Sequence, residues 1–542
     1  MRDNRCIPVK SNMTLSQLVT TTNDIPNELI FVKRRKRKAK FYKPSYIDIE
    51  YNVTKTGSTK ILGNRSELRS FDLTQLFSIV IDNETIITPS YTYNFTTTGA
   101  HKARLFFKPQ APSLYCLLTN RGYIETSLDL THFNPQGLTN LQFLCEAVNS
   151  DFNLIADMTN WDVSNVTTMN AMFQGNYGLK NIGDLSNWNT SNVTDMAYMF
   201  NECSGLTSLG DLSNWNTSAC TNMSYMFNKC SGLTSLGDLS NWDVSKVTTM
   251  KVMFQNCNGL TNIGDLSNWN TSACTNMSYM FYGCNSLTSL NLSGWNTSNV
   301  TTMKSMFSSC SGLTSLNLSG WNTSNVTDME NMFAELKPLQ YLNLDGWDFG
   351  KVTNMQYMFN HMENVSNLKG ILENMNPSAC TKFAYMVNQC FKENSNNSGV
   401  TSLDLRNWDM RNAVDINLLL YCNRSLKSVD VRGWRLLNCK DESVAFWGCY
   451  NLETIRLDKG WFENDNEFYK FDYTNWSRDS MMESLYTNQE GRDYTKHKYV
   501  VVDEEELAKL SQEDLDLIES RGFTVISVAT MNEIKAQRAN NG

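Results

Sequence analysis

Apolar residues recur along most of the chain in one short phrase. One copy reads Leu287-Thr-Ser-Leu290-Asn-Leu292-Ser-Gly-Trp295-Asn-Thr-Ser-Asn-Val300-Thr-Thr-Met303-Lys-Ser-Met306-Phe307-Ser-Ser-Cys310. Its opening L-x-x-L-x-L alternates as a short half-buried strand does. A turn-forming Asn/Ser/Thr stretch follows. Met303, Met306 and Phe307 then stand at i, i+3, i+4, the spacing of one apolar helical face, with Thr301 or Thr302 placed to cap that helix. The pattern therefore predicts strand, turn and short helix in each copy.

The tryptophans measure the period. Trp161, Trp188, Trp215, Trp242 and Trp269 lie 27 apart, and Trp295, Trp321 and Trp347 follow at steps of 26. Trp408, Trp434 and Trp461 resume the pattern, while Met375 and Phe133 take the tryptophan slot in units that lack it. About thirteen units run over 123–461, with a polar loop, Asn394 to Gly399, inserted between two of them. The longer units carry their extra residue at the strand end. There Gly183, Gly210, Gly237 and Gly264 read as bulges or tight turns. One unit cannot close a core, so neighbours must stack. The expected fold is an α/β repeat solenoid of leucine-rich-repeat type, a parallel strand sheet plus short helices.

The flanks differ. Residues 1–45 hold the basic run Lys33, Arg34, Arg35, Lys36, Arg37, Lys38, which reads either as a solvated arm or as an electrostatic anchor. Residues 46–122 alternate in several short strands separated by turns, predicting a small β-sandwich that caps the first repeat and attaches the protein. Residues 462–542 predict a small α/β cap: a strand at Tyr499–Val502, a helix opening at Ser511 and running through Ile518, and a strand at Phe523–Ser527.

Composition narrows the chemistry. The chain has 542 residues, a net charge of −8 and 41% apolar residues, enough to bury a large core. No apolar run is long enough to span a membrane, and the first residues lack a secretory stretch. Only four histidines occur, with neither a nucleophile–His pairing nor a phosphate-binding glycine loop, so neither catalysis nor a cofactor is expected. Residues 151–335 hold 13 Asp and Glu, five Lys and no Arg, which argues against nucleic-acid binding by the repeats. Cys203, Cys230, Cys257, Cys284 and Cys310 share one slot. Cys220, Cys274, Cys380 and Cys439 share another that elsewhere holds Val, so they read as buried thiols. The Met/Phe and Trp columns read as core. The outward strand positions are the binding candidates: Ser208, Ser213, the acidic column Asp184, Asp211, Asp238 and Asp265, and its neutral continuation Asn291, Asn317 and Asn343. The acidic column reads as turn-capping, with a Ca²⁺ ladder as the alternative.

The phrase W-(N/D)-(T/V)-S-x-V-T-x-M-x-x-M-F-x-x-C-x-x-L-x-x-L, as in Trp242-Asp-Val-Ser-Lys-Val-Thr-Thr-Met250, resembles the BspA-like leucine-rich-repeat surface proteins over 123–461. That resemblance implies surface display, adhesion to host or matrix partners, and no catalysis. The chain is accordingly expected to be a recognition protein on a phage virion, in a tail, fibre or head decoration. Its repeat sheet would meet host glycan or protein, and residues 1–122 would meet other virion proteins. A bacterial or protist cell-surface adhesin and a purely structural decoration protein are the alternatives.

Overall fold

The computed structural model describes residues 45–456, apart from short gaps (63, 67–68, 109–112, 119–124, 134, 147–152, 156, 393–394, 437, 440–444, 447, 450, 453), and parts of 498–533. The basic run Lys33–Lys38 and Trp461 fall outside the described residues. The chain divides into two compact units, one of residues up to 193 with 202–210, the other of 194–201 with residues from 211 onward.

The first unit opens with β1 (Tyr46–Val53), β2 (Gly57–Lys60), β3 (Asn64–Ser66), β4 (Arg69–Ser70), β5 (Leu76–Ile81), β6 (Thr85–Ile87), β7 (Thr92–Phe95) and β8 (Gly99–Phe107). The first repeat strands, β9 (Glu125–Asp129) and β10 (Asn153–Ile155), follow. These make one six-stranded sheet in the order β10-β9-β1-β8-β5-β6, and two ribbons, β2-β7 and β3-β4. β1 runs antiparallel to β8 and to β9, whereas β10 is parallel to β9. The edge that the first repeat strand would otherwise leave unpaired is thus covered by β1. Ile47, Ile49, Ile79, Ala103 and Leu105 are fully buried. Asp48 is buried too; Arg104 donates to it twice, at 2.7 and 2.8 Å, and Lys102 sits 2.8 Å away. Burial pushes the Asp48 carboxyl up, but the hydrogen bonds from Arg104 and Lys102 outweigh this and hold it below the ordinary range.

In the second unit the repeat strands are β11 (Ser315–Asn317), β12 (Tyr341–Asn343), β13 (Ser402–Asp404), β14 (Ser428–Asp430) and β15 (Thr454–Arg456), followed by β16 (Lys498–Val502) and β17 (Phe523–Ser527). β11 and β12 pair in parallel. A second parallel sheet runs β13-β14-β15-β16-β17, so the two C-terminal strands expected from the sequence extend the repeat ladder. Between the two sheets, α1 (Leu368–Asn374) stands in the strand slot of the repeat whose tryptophan is Met375. Its neighbours compensate. The Asn367 side chain donates to the Leu342 carbonyl and accepts from the Leu342 N–H, standing in for a strand edge. On the other side Lys369 donates to the Ser402 carbonyl, and Glu373 accepts from the Asp404 N–H.

The expected short helix in each repeat is not there, and among the described residues of 157–314 the expected strand is reduced to the isolated bridge Ser235–Asn262. Among the described residues no α-helix falls between 123 and 367. Met250, Met253, Phe254 and Cys257 are buried as the spacing requires, but by two successive turns. Val252 and Asn256 have φ of +64 and +55, and the equivalent positions Tyr279 and Gly283, Ser305 and Ser309, and Asn331 and Glu335 are also left-handed. A left-handed residue every fourth position ends each turn before a helix can propagate. Alternate amides then bond to the next repeat: Val252 to the Ser278 carbonyl, Phe254 to Met280 and Asn256 to Tyr282. Those between bond back three residues, Met253 to Met250 and Cys257 to Phe254. Thr302, expected as a helix cap, lies instead in a line of parallel bridges linking Asp195, Asn222, Thr249, Asn276, Thr302, Asp328, Asn354, Lys382 and Asp415.

Candidate functional site

A repeat surface can bind only with what its core leaves over, so the inner columns come first. Trp242, Trp269, Trp295 and Trp321 are buried and stack with nearly parallel rings, centroids 5.9–6.4 Å apart. Each indole N–H donates to a carbonyl one repeat back: Trp242 to Leu212, Trp269 to Leu239, Trp295 to Leu266 and Trp321 to Leu292, at 2.8–3.2 Å. Phe227, Phe254, Phe281 and Phe307 stack alongside. These rings have neither face nor donor to offer a ligand.

The first cysteine column behaves likewise. The thiols of Cys257, Cys284 and Cys310 donate to the carbonyls of Phe227, Phe254 and Phe281 at 2.9–3.0 Å. At the same slot Asn423 donates to the Val387 carbonyl at 2.6 Å, so the slot selects a buried donor. Burial pushes the Cys257 and Cys310 thiols up to about 12, and Cys220 and Cys274 to about 11, so none is a ready nucleophile. All fourteen described cysteines are buried thiols.

The acidic column faces water but is engaged in its own turns. Asp184 accepts from the Ser186 N–H in the first unit; in the second, Asp211, Asp238 and Asp265 accept from Ser213, Ser240 and Ser267, all at 2.9–3.0 Å. The Ser267 N–H holds the Asp265 carboxyl below the ordinary range. Ser208 accepts from the Gly210 N–H, which leaves it a local role as well. The glycines follow from the same packing. Gly237 has φ +81, and a Cβ there would collide with Asp211 Oδ1 of the preceding repeat; Gly264 stands in the same relation to Asp238. Asn291, Asn317 and Asn343 accept from the N–H of Ser293, Ser319 and Asp345, which fixes their carboxamides. Among the described residues no group of three or more His, Cys, Asp or Glu side chains is placed to hold a metal ion, and no helix is long and apolar enough to cross a membrane.

Three overlapping stretches, 139–263, 258–370 and 339–461, match the family described as Mycoplasma protein of unknown function, DUF285. The chain belongs to that family. The matches fall on the repeats themselves and span more than half of the chain. This is a surface-protein-like repeat family of the BspA-like kind that the phrase resembles. A comparison with curated proteins gives no match.

One surface feature of this DUF285 chain escaped the sequence reading. Tyr198, Tyr225, Tyr279, Tyr357 and Tyr385 occupy the left-handed position just before the second methionine of the phrase and are half-exposed. Tyr198 stacks on Tyr225 at 4.5 Å and Tyr357 on Tyr385 at 4.9 Å. Read as a helix, the phrase hides this row; the recurrence of Tyr in M-x-Y-M-F was the available signal. In the two stacked pairs each ring covers one face of its partner.

Proposed function

We propose that the protein is a non-enzymatic recognition protein displayed at a surface, its repeats forming a leucine-rich-repeat-type solenoid with the N-terminal sheet and the C-terminal strands as caps. The observation that carries the reading is a surface-type repeat family whose buried columns are spent on stacking, while its outer columns repeat small polar side chains, Asp in some repeats and Asn or Ser in others. Such rows suit hydrogen bonding to a glycan or a protein. The buried, raised thiols and the scarcity of histidine support the absence of catalysis. Family membership favours a cell surface; the virion reading, with residues 1–122 docked on other virion proteins, is the second place to look.

The test is antibody labelling of intact cells and of purified particles, together with binding of the full-length protein to host cells. Labelling without permeabilisation and saturable binding are expected. Signal only after lysis, with no saturable binding, would overturn the proposal.

A further inference from the structure

Most outward residues on the repeat strands are small, but one is a large aromatic. Tyr341, on β12, is 48% exposed, the only tyrosine besides Tyr177 among the exposed large hydrophobics of the described residues. β11 and β12 pair with Ser315 opposite Tyr341 and Asn317 opposite Asn343. Side chains two apart on a strand share a face, so these four form one patch, with neighbours roughly 5 Å apart across the strands. Ser315 and Asn317 are exposed and Asn343 is half-exposed.

The chemistry of the patch is specific. Ser315 is too small to cover the Tyr341 ring, so its face is not filled by a neighbour as it is in the stacked tyrosine rows. The oxygens of Asn317 and Asn343 accept from the N–H of Ser319 and Asp345, which locks each carboxamide and leaves its amide N–H groups as oriented donors. None of the four carries a charge. On the far side of β12 the ladder continues only to Ser366, whose N–H donates to the Gln340 carbonyl, before α1 begins at Leu368. The patch is therefore a local irregularity at the end of a regular surface.

We infer that Tyr341, Asn317, Asn343 and Ser315 form a saccharide subsite that takes a neutral pyranose ring. The ring stacks its C–H face on Tyr341, and its hydroxyls accept from the two locked amides and exchange hydrogen bonds with Ser315. A charged sugar is disfavoured because no counter-charge lies in the patch. The subsite deepens the surface-recognition reading and rests on it.

The test uses the full-length protein and a panel of neutral hexose and N-acetylhexosamine oligosaccharides, with sialylated ones and an unrelated peptide library as comparison, read by array binding and by saturation-transfer NMR. Tyr341→Ala should weaken binding of the best neutral oligosaccharide about tenfold or more, and Tyr341→Phe should leave it nearly unchanged. Asn317→Asp, which keeps the acceptor for the Ser319 N–H but removes the amide donors, should weaken it with little change in melting temperature. Neutral-sugar binding that survives Tyr341→Ala would overturn the subsite and leave surface recognition standing, as would binding confined to sialylated sugars or peptides. No binding to any probe, with saturable binding to host cells retained, would overturn the saccharide assignment alone.

Discussion

A buried indole N–H must find an acceptor, and Trp269 finds its own in the Leu239 carbonyl at 2.8 Å while stacking between Trp242 and Trp295. Trp269→Phe keeps an aromatic ring but removes that hydrogen bond, leaving the Leu239 carbonyl only the Trp242 N–H as donor, and it empties the space of the indole's second ring. We expect a loss of about 1–3 kcal/mol, read from urea denaturation; an unchanged midpoint would contradict the role given to the indole. The thiols make a second prediction. Burial raises Cys257 and Cys310 from an ordinary 9.0 to about 12. Their raised pKa means the unfolded chain releases these protons first, so the stability they contribute is intact below pH 9 and is lost as pH climbs from 9 to 12. Each thiol should steepen the decline by about 1.4 kcal/mol per pH unit in that window. Unfolding free energies at several pH values should therefore fall less steeply in a Cys257→Val, Cys310→Val double variant; equal slopes would show that these thiols are not buried.

At the scale of the element, the close approach of each acidic turn to the next repeat's glycine is testable by a double-mutant cycle. Gly237→Ala puts a Cβ against Asp211 Oδ1 on a left-handed backbone, at an expected cost of about 1–3 kcal/mol. In an Asp211→Ala background only the backbone part of that penalty should remain, so the two changes should be clearly non-additive in melts; additive costs would separate the two residues. The same repeats show what the sequence made legible. The period, the buried Trp, Met, Phe and Cys columns, the strands at 315–317 and 341–343 and the two C-terminal strands all followed from the pattern. The helix did not, because i, i+3, i+4 burial is shared by a helical face and by paired turns with a left-handed residue every fourth position. Gly175, Asn256, Gly283 and Gly448, recurring just before the cysteine slot, were the clue, since glycine and asparagine tolerate that backbone. Of the candidate site, the outward columns were legible. Their engagement in turns, and the isolation of Tyr341 among small neighbours, needed the register of β11 against β12.

At the scale of the whole molecule, the account depends on successive repeats being bonded to one another and not merely following one another along the chain. The line of threonines is where this is most exposed to test. The N–H of Thr248 donates to the Thr221 carbonyl, Thr275 to Thr248, Thr301 to Thr275, Thr327 to Thr301 and Thr353 to Thr327, at 2.8–2.9 Å, although all five donor side chains face water. A chain of independent units would leave those amides open to solvent, and the expected helices would have protected the Met–Phe stretch through bonds four residues back. Residue-resolved hydrogen–deuterium exchange across 221–381 decides between them. The stacked repeats predict that these threonine amides, and those of Val252, Phe254 and Asn256, exchange as slowly as the amides of the buried tryptophans; rapid exchange of the threonine amides, with slow exchange confined to the Met–Phe stretch, would contradict the account.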